Sequence, residues 1–134
     1  MKIEHVALWT NRLEVLKEFY VRYFGGKANT KYHNKTRGFQ SYFLSFDSGA
    51  RLEIMHQPDL ADQKYDPDGQ QHLGLIHLAF GVDTMSEVDD KAAELTNDGY
   101  KVLNGPRKTG DGYYEFEVLD PDNNRIEVTT LFKE

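Results

Sequence analysis

The chain repeats itself, and that repeat narrows the folds open to it. Near the start it reads Glu4-His5-Val6-Ala7-Leu8, and past the middle Ile76-His77-Leu78-Ala79-Phe80. Each is a short apolar segment with one histidine at the same place and an alanine two residues on. Each leads through a polar turn into a helical pattern. Leu13, Leu16, Phe19, Tyr20, Tyr23 and Phe24 recur at spacings of three and four, and Gly25-Gly26 ends the run. Met85, Val88, Ala92 and Leu95 keep the same period, with Asp83 or Thr84 as the cap and Asn97-Asp98-Gly99 as the stop. Both halves also close alike, with Phe46-Asp47-Ser48-Gly49-Ala50-Arg51-Leu52-Glu53-Ile54 in the first. The second closes with Leu119-Asp120-Pro121-Asp122-Asn123-Asn124-Arg125-Ile126-Glu127-Val128. In each, a strand enters an Asp-led turn and returns as Arg-(Leu/Ile)-Glu-(Ile/Val), the pattern of a hairpin. The intervals match too: 48 positions from His5 to Glu53 and 50 from His77 to Glu127. Two copies of strand–helix–strand–strand–strand, over 1–57 and 73–134, therefore account for the chain as a single α+β domain. The stretch 58–72 between them, rich in Asp, Gln, Pro and Gly, reads as an exposed linker.

Composition removes several function classes. At 134 residues and a formal net charge of −6, the chain has neither a basic run for nucleic-acid phosphates nor a polybasic segment for an anionic membrane. It has no cysteine, which excludes disulfides, Cys-ligated zinc, iron–sulfur clusters and thiol nucleophiles. Any metal must be held by His, Asp, Glu or backbone oxygen. No apolar stretch reaches the length of a membrane span and no apolar signal segment opens the sequence, so a cytoplasmic location is expected.

Strand parity sorts the chemistry onto one face. His5 shares a side with Ile3, Ala7 and Trp9, and His77 with Leu75, Ala79 and Gly81. Glu53 goes with Arg51, Met55 and Gln57, and Glu127 with Arg125, Thr129 and Leu131. Val6, Leu8, Leu52 and Ile54, like Leu78, Phe80, Ile126 and Val128, fall on the side expected to pack on the helices. Each half thus presents one histidine and one glutamate on the face turned away from its helix. Singly, such a His or Glu is more often a satisfied or solvated polar residue than a ligand. Jointly, if the halves form one curved sheet about a pseudo-twofold axis, two imidazoles and two carboxylates converge as a ligand set for a divalent cation.

At this point the sequence resembles the vicinal oxygen chelate superfamily, which includes glyoxalase I, bleomycin-resistance proteins and extradiol dioxygenases. The likeness spans essentially the whole chain. It rests on the paired His-x-Ala openings, the Asp-Pro-Asp-Asn-Asn-Arg-Ile-Glu-Val ending, and Gly-Asp-Gly-Tyr-Tyr-Glu at 110–115. It implies paired βαβββ modules forming an open, cup-shaped mixed sheet with the helices outside. It also implies that His5, Glu53, His77 and Glu127 are the metal ligands. The His, Glu, His, Glu order is that of glyoxalase I, whereas dioxygenases of the family use two His and one Glu. Where the bacterial glyoxalase I strand has an arginine four residues after its first histidine this chain has Trp9, and where it has a glutathione-contacting asparagine it has Gln57. Arg107 and Lys108, in an expected Gly105-to-Gly112 loop, together with Arg51, complete the candidate substrate contacts.

The resemblance implies a lyase or isomerase acting on a hemithioacetal or another vicinal-oxygen substrate through a metal-bound enediolate. Glu127 is the first candidate for the base and Glu53 the second. Mixed nitrogen and oxygen ligation suits nickel, cobalt, manganese, iron or zinc, and the resemblance favours nickel or cobalt. A homodimer is expected. The rivals are a metal-free binding or resistance protein of the same fold and another metal-dependent epimerase or dioxygenase. His33, His56 and His72 are expected at the surface.

Overall fold

The computed structural model describes residues 1–62 and 70–132. It divides into two compact units, Met1–Gln63 and Lys64–Glu134. Residues 63–69 of the expected linker lie outside the described residues, and 58–62 and 70–72 contain neither helix nor strand.

In the N-terminal unit, β1 (His5–Trp9) leads to α1 (Leu13–Phe24), then to β2 (Lys27–Ala28), β3 (Tyr32–Asn34), β4 (Phe39–Ser45) and β5 (Arg51–His56). The sheet order is β1-β5-β4-β2, with β3 also on β4; β1 and β5 run parallel and the other pairs antiparallel. The C-terminal unit repeats this with β6 (His77–Gly81), α2 (Met85–Asn97), β7 (Val102–Lys108), β8 (Tyr113–Leu119) and β9 (Arg125–Leu131), in the order β6-β9-β8-β7. Two helices and two open mixed sheets make an α+β fold of two βαβββ modules. Short β2 and β3 stand where the second module has the single β7. Asn29, between them, uses its own side chain to accept the Phe43 N–H at 2.9 Å, so a side chain replaces one rung of the ladder.

Each helix lies where its apolar stripe requires. Leu13, Leu16, Phe19, Tyr20 and Tyr23 of α1 are buried, as are Leu44, Leu52 and Ile54 of the sheet beside it. Val88, Ala92 and Leu95 of α2 are buried likewise, with Phe116, Val118, Ile126 and Val128. A buried Leu, Ile or Val contributes about 1.5–3 kcal/mol each, so these facing rows hold the modules together. The ends differ. Thr84 caps α2 in a full capping box with Glu87, while α1 begins at Arg12 without a side-chain cap and ends on Gly25 at φ 69°.

β7 carries a bulge between Asn104 and Arg107. Gly105 (φ +83°) is required there, because a Cβ would meet the Glu115 carbonyl oxygen at 2.5 Å. No described helix is long and apolar enough to cross a membrane.

Candidate metal centre

The two modules share one register. His5 is opposite Arg51 and Ala7 opposite Glu53; His77 is opposite Arg125 and Ala79 opposite Glu127. The exposure alternates identically along β1 and β6, with the histidine and alanine on the open side and the aliphatic residues between them partly covered. Each histidine is therefore the diagonal neighbour of its glutamate, and the alanine is the residue beside that glutamate. A methyl group there leaves the space above the sheet through which imidazole and carboxylate approach each other. His5 Nε2 lies 3.8 Å from Glu53 Oε1, and His77 Nε2 lies 3.6 Å from Glu127 Oε2.

The C-terminal pair has further acidic company from β8. Glu117 is directly opposite Glu127 in the ladder, with its Oε1 4.0 Å from His77 Nδ1. His77, Glu117 and Glu127 each offer a ligand atom, all within 4.8 Å of one another. Glu115, two residues back on the same face, receives a hydrogen bond from Thr129 Oγ1 at 3.2 Å. Burial pushes the Glu127 carboxyl above its ordinary range, and the charge of Glu115 and a hydrogen bond with it add to the rise. Glu117 adds a smaller push, against which His77 pulls down. One imidazole among crowded carboxylates, one of them driven toward its neutral form, is a donor set that a divalent cation would relieve. The residues present fit such an ion.

The N-terminal pair is built differently. The position opposite Glu53 is Phe43, whose ring meets the His5 imidazole edge-on at 5.4 Å. The Arg51 guanidinium lies over the Phe43 ring, 4.2 Å from its centroid, and grips the Glu4 carboxylate. That hydrogen bond is the main reason Glu4 stays below its ordinary pKa. Glu4 Oε2 in turn lies 3.4 Å from His5 Nδ1. Trp9, 47% exposed, is opposite Met55 and meets Phe39 at 6.1 Å, and Tyr32 packs on Phe39 from beyond.

The remaining candidates fall in several places. Gln57 is half-buried just past β5, on the parity of Glu53. Arg107 and Lys108 are not in a loop, because the bulge at Gly105 lets β7 continue through Lys108. Arg107 is opposite Glu115 and so on the Glu127 face. Lys108 is opposite Tyr114, whose hydroxyl donates to Asp89 of α2 at 2.6 Å, so Lys108 is on the helix side, its Nζ over the Phe132 ring. Arg125, at the position of Arg51, is 2% exposed and binds the Gln70 carbonyl and the Gln71 side chain. His33 and His72 are exposed, but His56 is half-buried with Nδ1 2.9 Å from the Thr10 carbonyl, where it ties the end of β5 to the start of the α1 turn. Sequence reading missed Glu117, Glu115 and Glu4. The first two had a signal, since Glu115-Phe116-Glu117-Val118 alternates acid with apolar residue at the period of a strand.

Comparison with known proteins agrees with the fold. Residues 2–128 match the model of the Glyoxalase/Bleomycin resistance protein/Dioxygenase superfamily. The chain is 39% identical over 129 residues to the uncharacterized protein YqjT of Bacillus subtilis (strain 168), covering 94% of this chain and 96% of that one. Among solved structures, a glyoxylase/bleomycin resistance protein/dioxygenase domain from Frankia sp. EAN1pec superposes with a TM-score of 0.80 at 17% identity, covering 98% of both chains. The trypanothione-dependent glyoxalase I of Leishmania major superposes with a TM-score of 0.75 at 20% identity, covering 97% of this chain and 86% of that one. The chain belongs to the glyoxalase/bleomycin resistance protein/dioxygenase superfamily.

Proposed function

We propose that this protein is a metal-dependent lyase or isomerase of the glyoxalase I type, with His5, Glu53, His77 and Glu127 as its ligands. The observation that carries the reading is the register-matched His–Glu pair in each module, with Nε2 and a carboxylate oxygen 3.6–3.8 Å apart both times. A divalent ion, with nickel or cobalt preferred, would supply Lewis acidity toward two adjacent oxygens of the substrate. The residues do the rest. Glu127 takes a proton from the carbon that bears one of those oxygens and returns it to the neighbouring carbon that bears the other, and Glu53 is the second candidate for that work.

Trp9 packs on an apolar part of the substrate, and Arg107, on the Glu127 face, pairs with an acidic group. Arg51 and Gln57 border the His5–Glu53 pair, with Arg51 acting through Glu4; Lys108, on the helix side, takes no part. The substrate is a hemithioacetal or another vicinal-oxygen compound. The Leishmania major relative supports a thiol adduct, and Trp9 favours a thiol with apolar rather than acidic surroundings at that position. The protein acts in the cytoplasm as a homodimer. The Trp9–Phe39–Tyr32 cluster, with Trp9 and Tyr32 exposed, also supports a second reading, a small-molecule binding or resistance protein that holds its ligand by stacking.

Elemental analysis separates the two. The protein is purified without chelator, then dialysed against nickel, cobalt, manganese and zinc. About one tightly held ion per chain, with turnover of methylglyoxal in the presence of one of several thiols, is the expected result. Persistent absence of metal moves the assignment to the binding protein. Turnover that needs air rather than nitrogen moves it to an oxygenase.

A further inference from the structure

Both histidines are framed by two carboxylates in the same way. We infer that Glu4 and Glu117 are positioning residues that hold the proton of His5 and His77 on Nδ1, leaving the Nε2 lone pair of each for a metal ion. The inference rests on the ligand assignment above and adds to it the residues that orient the ligands. In the N-terminal unit His5 turns Nε2 to Glu53 and Nδ1 to Glu4, at 3.8 and 3.4 Å. In the C-terminal unit His77 turns Nε2 to Glu127 and Nδ1 to Glu117, at 3.6 and 4.0 Å. The outer carboxylates come from unrelated places, the residue before β1 in one module and the middle of β8 in the other. The same ring orientation reached by two routes is what a shared requirement on the imidazole produces.

An ionised carboxylate only accepts hydrogen bonds, so the ring nitrogen it pairs with is the one that carries the proton of a neutral imidazole. The two carboxylates at each ring are told apart by what else they do. Glu53 and Glu127 stand in the strand that carries the pair, at a separation too long for a hydrogen bond. It is close to what two donors keep when each lies about 2 Å from one cation. Glu4 is already gripped by Arg51 and is not available as a ligand. It remains placed to accept from Nδ1 at 3.4 Å, and Glu117 occupies the corresponding side of His77, its Oε1 4.0 Å from Nδ1, where a small side-chain rotation closes the hydrogen bond. A carboxylate on the far nitrogen of a ligating histidine fixes its tautomer and makes it a better donor.

The test uses nitrogen-15 long-range correlation spectra of the metal-free protein, at a pH where both imidazoles are neutral, followed by zinc titration. The expected spectrum shows protonated Nδ1 at both His5 and His77. Glu117→Ala moves the His77 proton to Nε2 and weakens zinc binding roughly ten- to hundredfold. Glu117→Gln, whose amide oxygen still accepts, keeps the proton on Nδ1 and recovers most of the affinity. Protonated Nε2 at His77 in the unmodified protein overturns the inference. So does a Glu117→Gln variant that loses as much zinc as Glu117→Ala, since Glu117 is then a direct ligand. Wild-type protein that keeps protonated Nδ1 at both rings yet takes up no zinc supports the positioning role and removes the ligand assignment instead.

Discussion

The His5–Glu53 and His77–Glu127 sites are the same piece of backbone furnished twice. Parallel pairing, register, the spacer alanine and the side-chain approach all agree between them. What differs is the strand on the other side of the glutamate. β4 offers Phe43 opposite Glu53, with Trp9, Phe39 and Tyr32 nearby, and the single outer carboxylate, Glu4, is held by Arg51. β8 offers Glu117 opposite Glu127, with Glu115 behind it. The N-terminal site therefore carries apolar surface with Glu4 paired to Arg51, whereas the C-terminal site gathers negative charge. A repeat fixes where side chains point, and the residue at one ladder position decides whether the result is a stacking surface or an acidic pocket.

The largest effect should come from the acid that the proposed chemistry uses. Glu127→Gln should lower turnover by about a hundred- to ten-thousandfold, the usual contribution of a general base, while the protein keeps part of its metal. Full activity in steady-state assays would remove Glu127 from the mechanism and make the two sites equivalent again.

Next comes the metal. His77→Ala should weaken divalent-ion binding by more than about a hundredfold, beyond the range expected for an outer partner, and His5→Ala by less, because only the C-terminal site gathers several carboxylates. Isothermal titration of both variants checks the order. Equal losses would mean that the extra acids do not contribute.

The charge asymmetry also predicts a pH dependence for the metal-free protein. Glu127 has its pKa raised in the folded state, chiefly by burial and by Glu115, so the folded chain binds its proton more tightly than the unfolded chain. That contribution is present below the unfolded pKa and is lost as pH rises through the folded one. Denaturant melts from acid toward neutral pH should show this loss in the unmodified protein, and Glu127→Gln should flatten it. A profile that the substitution leaves unchanged would place the pH sensitivity elsewhere.

The smallest effect compares the helices. Thr84→Ala removes the α2 capping box and should cost about 0.5–2 kcal/mol in chemical denaturation. Thr10→Ala should cost less, because the Thr10 hydroxyl accepts the Arg12 N–H at 2.8 Å ahead of α1 and makes no reciprocal capping box. Equal costs would show that Thr10 serves as the cap of α1 in all but position.

Much of the fold was legible because it follows from periodicity. The three-and-four spacing of Leu13 to Phe24 and of Met85 to Leu95, with Gly25 and Asn97-Asp98 as stops, marks both helices. Alternation on β1, β5, β6 and β9 places the His and Glu of each pair on the side away from the buried aliphatics. Pairing across strands was less legible. Gly105-Pro106 reads as the start of a loop, and only the bulge opposite Glu115 shows how β7 passes through it and sends Arg107 and Lys108 to opposite faces. Arg51 and Arg125 are identical in the repeat, yet one reaches Glu4 and the other is buried against residues 70 and 71.

The sequence by itself determined the doubled module, its helices and the face on which each His and Glu stands, since those depend on residues a few positions apart. Tertiary structure alone decided which further groups meet that face: Phe43 at one site, Glu117 and Glu115 at the other, and Glu4 behind His5. Phe43, Glu117 and Glu115 are set by the register between adjacent strands, where a shift of one residue would have turned each to the opposite side, and Glu4 is set by the Arg51 side chain that grips it.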